Sequence, residues 1–267
     1  MRFTVIANPR AQHQIDHQRA MRDGLAAHGI DAVLNYGATP VTTSHVACWG
    51  WRHGRRLRAE GREVLVMERG YLGDRFAWTS LAWNGLNGRG EFPEYPDDGG
   101  ARFDAHYSLH PWKEGGQYAL LMGQVPGDAS LRGIDLTKWY ATAAMAANNA
   151  YEMPVLFREH PMALRRGLNR QPRLTERSTG TLTEALAGAA VVITFNSNSA
   201  VDAVCAGVPA VTMDEGSMAW PVAAHRIGDL VRPDRKAWAH RLAWRQWSMQ
   251  EIANGTALQA LLKKEVA

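Results

Sequence analysis

The chain has 267 residues, 46% hydrophobic and 21% charged, with 30 Lys and Arg against 26 Asp and Glu for a formal net charge of +4. That length holds one large domain or two small ones, and the balance is that of a soluble globular protein. No run approaches the roughly 18–20 consecutive apolar residues of a membrane helix, and the start, MRFTVIANPR, reads as a strand rather than a secretion signal. A cytoplasmic protein without membrane insertion is expected. Mild basicity fits a phosphate-bearing ligand or a nucleic acid and does not choose between them.

In the first half, candidate strands are FTVIAN (3–8), AVLNYG (32–37), HVACWG (45–50) and EVLVME (63–68), with helical spacing over 13–28 and 53–60. From about 70 to 117 this order breaks. The stretch VMERGYLGDRFAWTSLAWNGLNGRGEF crowds Glu68, Arg69, Asp74 and Arg75 with Trp78, Trp83 and Asn84. It is too polar for a core and too aromatic for a solvated linker, so a substrate-binding loop is expected, with Glu68 or Asp74 as general base and Arg69, Arg75, Trp78 and Asn84 as acceptor contacts. A structural Glu–Arg network accounts for the same composition. The PDD at 96–98 lies among Pro and Gly and reads as a turn, not a metal pair.

The second half alternates again, with strands YALLMGQ (118–124), VLFRE (155–159), AVVITF (190–195) and PAVTM (209–213), and helical spacing over 135–150, 181–188 and 198–206. RRGLNRQPRLTERSTG (165–180) is basic and polar and reads as an exposed loop. Strand–helix alternation predicts an α/β protein with two small open parallel sheets, one per domain, facing a cleft. The segment DRKAWAHRLAWRQWSMQEIANGTALQALLKKE reads as helical, with Trp238, Leu242, Met249 and Ile252 on one stripe and Trp244 and Trp247 on the other side. It fits a helix crossing back onto the first domain, and equally one packed in a single groove. The expected division is 1–112, 113–235 and 236–267.

Ligands of open parallel sheets bind beyond the carboxyl ends of the strands, so the residues just after each strand matter most. After 190–195 come Asn196, Ser197, Asn198 and Ser199 at the start of a helix. Asn198 or Ser199 is a good cap, and the turn offers N–H groups to a phosphate. Capping alone would need one of the four. After 155–159 come Arg158, Glu159 and His160, an anion grip and a proton or hydrogen-bond donor. After 118–124, Gly123 and Gly127 allow tight turns, while Asp128 and Ser130 cap the next helix or reach a ligand. Cys48 and Cys205 sit in apolar surroundings and read as buried small hydrophobes. The chain lacks a Walker A loop, a GxGxxG after the first strand, HExxH, paired CxxC and GxSxG. Hydride transfer, P-loop chemistry and zinc hydrolysis are disfavoured, and no metal is expected.

GQVPGDAS, FREHP and LAGAAVVITFNSNSAVDAVCAGVPAVTMDEGSMAW, over about residues 118–222, resemble the C-terminal domain of capsule-polysaccharide glycosyltransferases of the β-Kdo transferase group. The first half resembles small glycosyltransferase-like proteins of bacteriophages. The resemblance implies a GT-B fold of two Rossmann-like domains and a nucleotide-sugar donor, with no metal required. Gln124 and Asp128 match that family's Gln-x-x-x-Asp loop, Arg158 and His160 its His-Pro region, and Ser197 and Ser199 its Ser-rich turn. Asp202 stands where the family commonly has Glu, a group that holds the donor ribose or orients the turn. The family often has Lys where this chain has Arg158 or Glu159, and its large extra elements are missing, so UDP- and CMP-sugars are equally compatible. The acceptors left open are a hydroxymethylated base in phage DNA, in the host cytoplasm, a bacterial surface glycan or a small molecule. A sugar-nucleotide epimerase or hydrolase shares the fold, and a nucleic-acid-binding module would use the 165–180 arginines and stacking Trp residues.

Overall fold

A computed structural model of the chain describes residues 1–37, 39–168 and 170–262. Asn169 of the basic loop and the last three residues of the expected C-terminal helical segment, 263–265, lie outside the described residues. In chain order the elements are β1 (Arg2–Ile6), α1 (Gln12–Ala27), β2 (Asp31–Asn35), β3 (His45–Trp49), α2 (Trp51–Ala59), β4 (Glu63–Arg69), β5 (Trp78–Trp83) and α3 (Ala101–Asp104). They continue with β6 (Tyr118–Met122), α4 (Leu136–Tyr151), β7 (Val155–Arg158), α5 (Pro161–Arg165), β8 (Glu176–Arg177), α6 (Leu182–Ala187), β9 (Ala189–Thr194), α7 (Ser199–Cys205) and β10 (Ala210–Thr212). The last are α8 (Lys236–Ala243), β11 (Gln246–Ser248), α9 (Met249–Ala253) and α10 (Thr256–Leu261). Two compact units result, Met1–Tyr107 with the segment from His240 onward, and Ser108–Ala239.

The sheet of the first unit runs β11-β5-β4-β3-β1-β2. β1 to β4 are parallel, whereas β5 is antiparallel to β4 and β11 to β5. The sheet is therefore mixed, where a purely parallel one was expected. β5 lies inside the stretch read as a loop. Its sequence WTSLAW hides a buried strand because two of its inward residues, Thr79 and Ser80, are polar yet 0% and 2% exposed. Thr79 is satisfied by His17, whose Nδ1 lies 2.6 Å from the Thr79 hydroxyl.

β4 shows how the sheet is covered on both sides. Leu65 and Met67 pack with Met21 and Leu25 of α1, Ile252 of α9 and Leu258 of α10, while Val64 and Val66 turn toward Leu57 of α2. Gly24 sets the spacing between α1 and α9, since a Cβ there would stand 2.0 Å from the Ile252 carbonyl oxygen.

The C-terminal segment is not the continuous helix its spacing suggests. Trp247 is fully buried among Phe3, Leu65 and Leu81, a position it reaches only if Gln246–Ser248 extends as an edge strand on β5. Burying a side chain of that size is worth about 3 kcal/mol, more than the local helix preference it overrides. Ser248 then restarts the helix through a capping box with Glu251.

The sheet of the second unit runs β10-β9-β6-β7-β8 and is parallel throughout. Leu121, Phe157 and Ile193 face α4, whose Ala143, Ala144 and Ala147 permit close approach. Leu120, Met122 and Val192 face Leu186 of α6 and Ala203 of α7. The exposed pair Glu176–Arg177, within the expected loop, adds β8 to the β7 edge. In this sheet β6 lies between β7 and β9, and in the first β1 lies between β2 and β3, so each sheet has a switch point beside its first strand. No helix among the described residues is long and apolar enough to cross a membrane.

Candidate functional site

At the switch point of the second unit, the loops after β6 and β9 are joined by side chains. Gln124 Nε2 donates to Asn196 Oδ1 at 2.8 Å, and Gln124 Oε1 accepts from Asn196 N at 3.1 Å and Thr194 Oγ1 at 3.2 Å. Asn196 Nδ2 donates to the Ser130 carbonyl at 2.9 Å and to Asp214 Oδ1 at 3.0 Å. Gln124 and Asn196 are 6% and 2% exposed, so these two expected donor contacts act as struts that hold three loops in place. Burial pushes the Tyr140 phenol up to about 12, which keeps it neutral, and it accepts from Gln124 N at 2.6 Å.

The remaining residues of the Asn-Ser turn divide their roles. Ser197 N donates to Thr194 Oγ1 at 3.1 Å, and Ser197 Oγ accepts from Ser199 N at 3.2 Å and Ser199 Oγ at 3.0 Å. Asn198 occupies the cap position of α7 with helical backbone angles and makes no capping bond. Neither Asn198 nor Ser199 caps α7 as expected, because the Ser197 hydroxyl already serves the first N–H. The Asn198 amide oxygen is buried without a hydrogen-bond partner.

The loop after β7 abuts the loop after β6. A Cβ on Gly123 would meet the Arg158 carbonyl oxygen and His160 N at 3.0 Å each, so any side chain here would press these chains apart by a few tenths of an ångström. Arg158 Nη2 donates to the Gly180 carbonyl at 2.9 Å, anchoring the guanidinium on the chain after β8. His160 caps α5, its Nδ1 accepting from Met162 N at 3.2 Å. A neutral ring in that arrangement carries its proton on Nε2. Asp128 Oδ1 accepts from Ser130 N at 2.9 Å and Ser130 Oγ at 2.7 Å, closing its own turn. Asp202 sits in the first turn of α7 and is half-buried. Burial, with Asp202 adding to it, pushes the Cys205 thiol up to about 12.

The expected donor residues thus gather at the carboxyl edge of one sheet, on the turns after β6 and β9, at the last residue of β7 and in the first turn of α7. One residue there went unread. Asp214, just beyond β10, accepts from Asn196 Nδ2 and, at 2.9 Å, from Gly216 N. It follows a strand in an Asp-Glu-Gly turn, the same signal that singled out the other loops. Glu159 Oε1 and Thr212 Oγ1 join Asn198 Oδ1 as buried polar atoms without partners at this edge.

In the first unit, Glu68 and Arg69 close β4 at its carboxyl end. Glu68 Oε1 accepts from Arg69 N at 3.0 Å, and the Arg69 guanidinium lies 3.9 Å from the Phe76 ring centre and 6.0 Å from that of Trp49. Asp74 is exposed and its Oδ1 accepts from Phe76 N at 2.9 Å, while Arg75 is half-buried beside it. Trp78, at the start of β5, packs edge-on against His106 at 5.1 Å. Asn84 does not join this group. It accepts from Val64 N at 3.0 Å and donates to Glu63 at 2.7 Å, at the opposite end of β4, because the antiparallel β5 carries it there.

Two histidines that sequence spacing does not distinguish from ordinary helix residues stand beside this group. His13 and His17 of α1 pack on Trp49 at 5.8 and 5.4 Å. Burial, and then Arg69, lower the pKa of both. A cavity of about 840 Å³ opens at the switch point of this sheet, lined among others by Asn8, Trp49, Arg52, His53 and Arg56. Among the described residues no group of three or more His, Cys, Asp or Glu is placed to hold a metal.

No protein-family model matches the chain, and no curated protein sequence does. Solved structures do. The β-Kdo 2,4-transferase part of KpsC from Thermosulfurimonas dismutans aligns over 90% of this chain and 89% of that one, at 15% identity and a TM-score of 0.61. The β-Kdo 2,7-transferase part of KpsC from the same organism aligns over 97% and 100%, at 12% identity and a TM-score of 0.59. The chain has the GT-B glycosyltransferase fold. In this GT-B chain, the network around Gln124 and Asn196 occupies the switch point of the second sheet.

Proposed function

We propose that the chain is a glycosyltransferase that moves a sugar from a nucleotide-sugar donor to an acceptor hydroxyl. The observation that carries this is the carboxyl edge of the second sheet, where a fixed network leaves Glu159, Asn198 and Thr212 each with a buried polar atom unpaired. Leaving a buried polar group unpaired costs about 1–3 kcal/mol, so each of these three atoms calls for a partner, whether a water, an ion or a ligand. The likeness in fold to β-Kdo transferases supports sugar transfer, and UDP- and CMP-sugars are equally the donors to test.

In the reaction the acceptor oxygen attacks the anomeric carbon, the bond from that carbon to the donor phosphate oxygen breaks, and the nucleotide leaves with the bonding pair. Arg158 and the Nε2 proton of His160 stabilise the charge that grows on the departing phosphate. Ser197 and Asn198 line the nucleotide, Ser199 braces Ser197, and Asp202 holds ribose hydroxyls or orients the turn. Gln124, Asn196 and the Asp128–Ser130 turn position these groups. Glu68 or Asp74 takes the acceptor proton, with Arg69, Arg75 and Trp78 near it on the first unit. A surface glycan, a small molecule and a hydroxymethylated DNA base are the acceptors to compare.

A thermal-shift screen against UDP-, GDP- and CMP-sugars tests the donor site. One nucleotide class should raise the melting temperature, and rapid donor consumption should require an acceptor. A melting temperature unmoved by all three classes contradicts the proposal, and consumption equally fast without acceptor points to an epimerase or hydrolase instead.

A further inference from the structure

The first unit carries a cavity lined by none of the residues of the proposed donor site. This cavity of about 840 Å³ lies where β1 and β3 end, at the switch point of that sheet. Pockets of about 300–1,000 Å³ are the size that holds small-molecule ligands. Arg52, His53 and Arg56 of α2 line one side, and no residue lining the cavity is acidic among those described. The helix itself, WRHGRRLRA, contains four arginines and a histidine in nine residues. Glu60 offsets part of this charge, standing 3.9 Å from Arg56.

The opposite wall is built from amides that are already fixed. Asn8 N donates to Gln18 Oε1 at 3.0 Å, and Asn8 Nδ2 to Gln14 Oε1 at 3.2 Å. Gln18 is only 1% exposed and holds the Asn8 backbone from the core side, while Asn8 itself is exposed and Gln14 half-buried. Trp49 adds an aromatic surface suited to the C–H face of a sugar ring. His53 Nε2 lies 3.4 Å from Arg56, and burial followed by the Arg56 charge lowers its pKa.

We propose that this cavity binds the phosphate ester of a sugar, as the acceptor side of the glycosyltransferase proposed above. Arg52 and Arg56 place two positive charges on this wall, which favour the dianion of a phosphate monoester over the single charge of a carboxylate, with the amides and Trp49 left for the sugar. The inference rests on the transferase proposal only for the word acceptor, since phosphate-ester binding stands on the cavity alone.

The test titrates the full chain with glucose 6-phosphate, glucuronic acid and glucose by calorimetry, without nucleotide present. Glucose 6-phosphate should bind at least about tenfold more tightly than the other two, as expected for added charge-assisted hydrogen bonds. Arg52→Gln with Arg56→Gln should weaken it by about tenfold or more, while CMP and UDP affinities stay unchanged and the His53 ring resonances no longer respond. Arg158→Gln should leave glucose 6-phosphate binding intact, which separates this site from the donor site. Equal affinity for glucuronic acid, no binding of glucose 6-phosphate, or binding untouched by the double variant would overturn the proposal. A chain that binds glucose 6-phosphate in this way but no nucleotide would retain the site and lose the transferase function.

Discussion

Gln124 and Asn196 are bonded side chain to side chain at 2.8 Å across the crevice between β6 and β9, where this class of sheet receives its ligand. Asn196 Nδ2 also donates to Asp214 Oδ1 at 3.0 Å, so a carboxylate at position 196 would face the Asp214 carboxylate. Asn196→Asp should destabilise the protein by about 2 kcal/mol and weaken nucleotide binding. Adding Asp214→Asn restores a donor between the two positions and should recover most of both losses. A double-mutant cycle in urea, with nucleotide titration alongside, checks this. Additive losses would show that the pair does not couple the loops.

Gly24 faces the Ile252 carbonyl oxygen, which would stand 2.0 Å from any Cβ. Gly24→Ala must push α1 from α9, so the helix propensity gained at this position is outweighed. A net loss of about 1–3 kcal/mol is expected from such overpacking, read as a lower urea midpoint. A stability at or above that of the parent would mean that α9 does not pack as described.

Arg102 holds Glu251 with both nitrogens, Nη1 to Oε1 at 2.6 Å and Nη2 to Oε2 at 3.2 Å, while its Nε and Nη2 donate to the carbonyls of Ala243 and Gln246 at 2.9 Å. Burial by itself raises the Glu251 carboxyl, but the hydrogen bonds from Arg102 and Ser248 override it and the net shift is downward. A carboxyl lowered in the folded state stabilises fully above its unfolded value of about 4.3, and that contribution fades as pH falls through the folded value. Stability measured from pH 7 to 3 should therefore decline below about pH 4, and Glu251→Gln should be less stable at pH 7 with a shallower acid limb. An unchanged acid limb would remove Glu251 from that role.

Glu68→Gln and Asp74→Asn test the proton acceptor. One of the two should lower turnover by about 100-fold or more with nucleotide affinity preserved, as loss of a general base does. Full turnover in both, with intact folding, would exclude both carboxylates.

The alternation of strands and helices was legible from apolar spacing, and three loops of the donor edge from the rule that ligands sit beyond carboxyl ends. β5 and β11 were not, because their inward residues include Thr79, Ser80 and Gln246, polar groups whose burial depends on partners far along the chain. Gln246 accepts from Tyr71 N and Leu72 N, a pairing 174 and more residues apart that no local pattern announces. The roles of Gln124 and Asn196 were hidden for the same reason. Sequence marked them as polar groups at a ligand edge, and only the fold shows that their amides are consumed by each other. Arg52, His53 and Arg56 carried a readable signal, a basic helix directly after a strand, which counted only as helical spacing.

Hydrogen–deuterium exchange of the full chain, with and without saturating CMP or UDP, tests the central claim most directly. A nucleotide seated at the carboxyl edge of the second sheet should slow exchange in the loops at 123–130, 159–162, 195–199 and 213–217, and leave α2 unaffected. Protection confined to other segments, or none with either nucleotide, would contradict it.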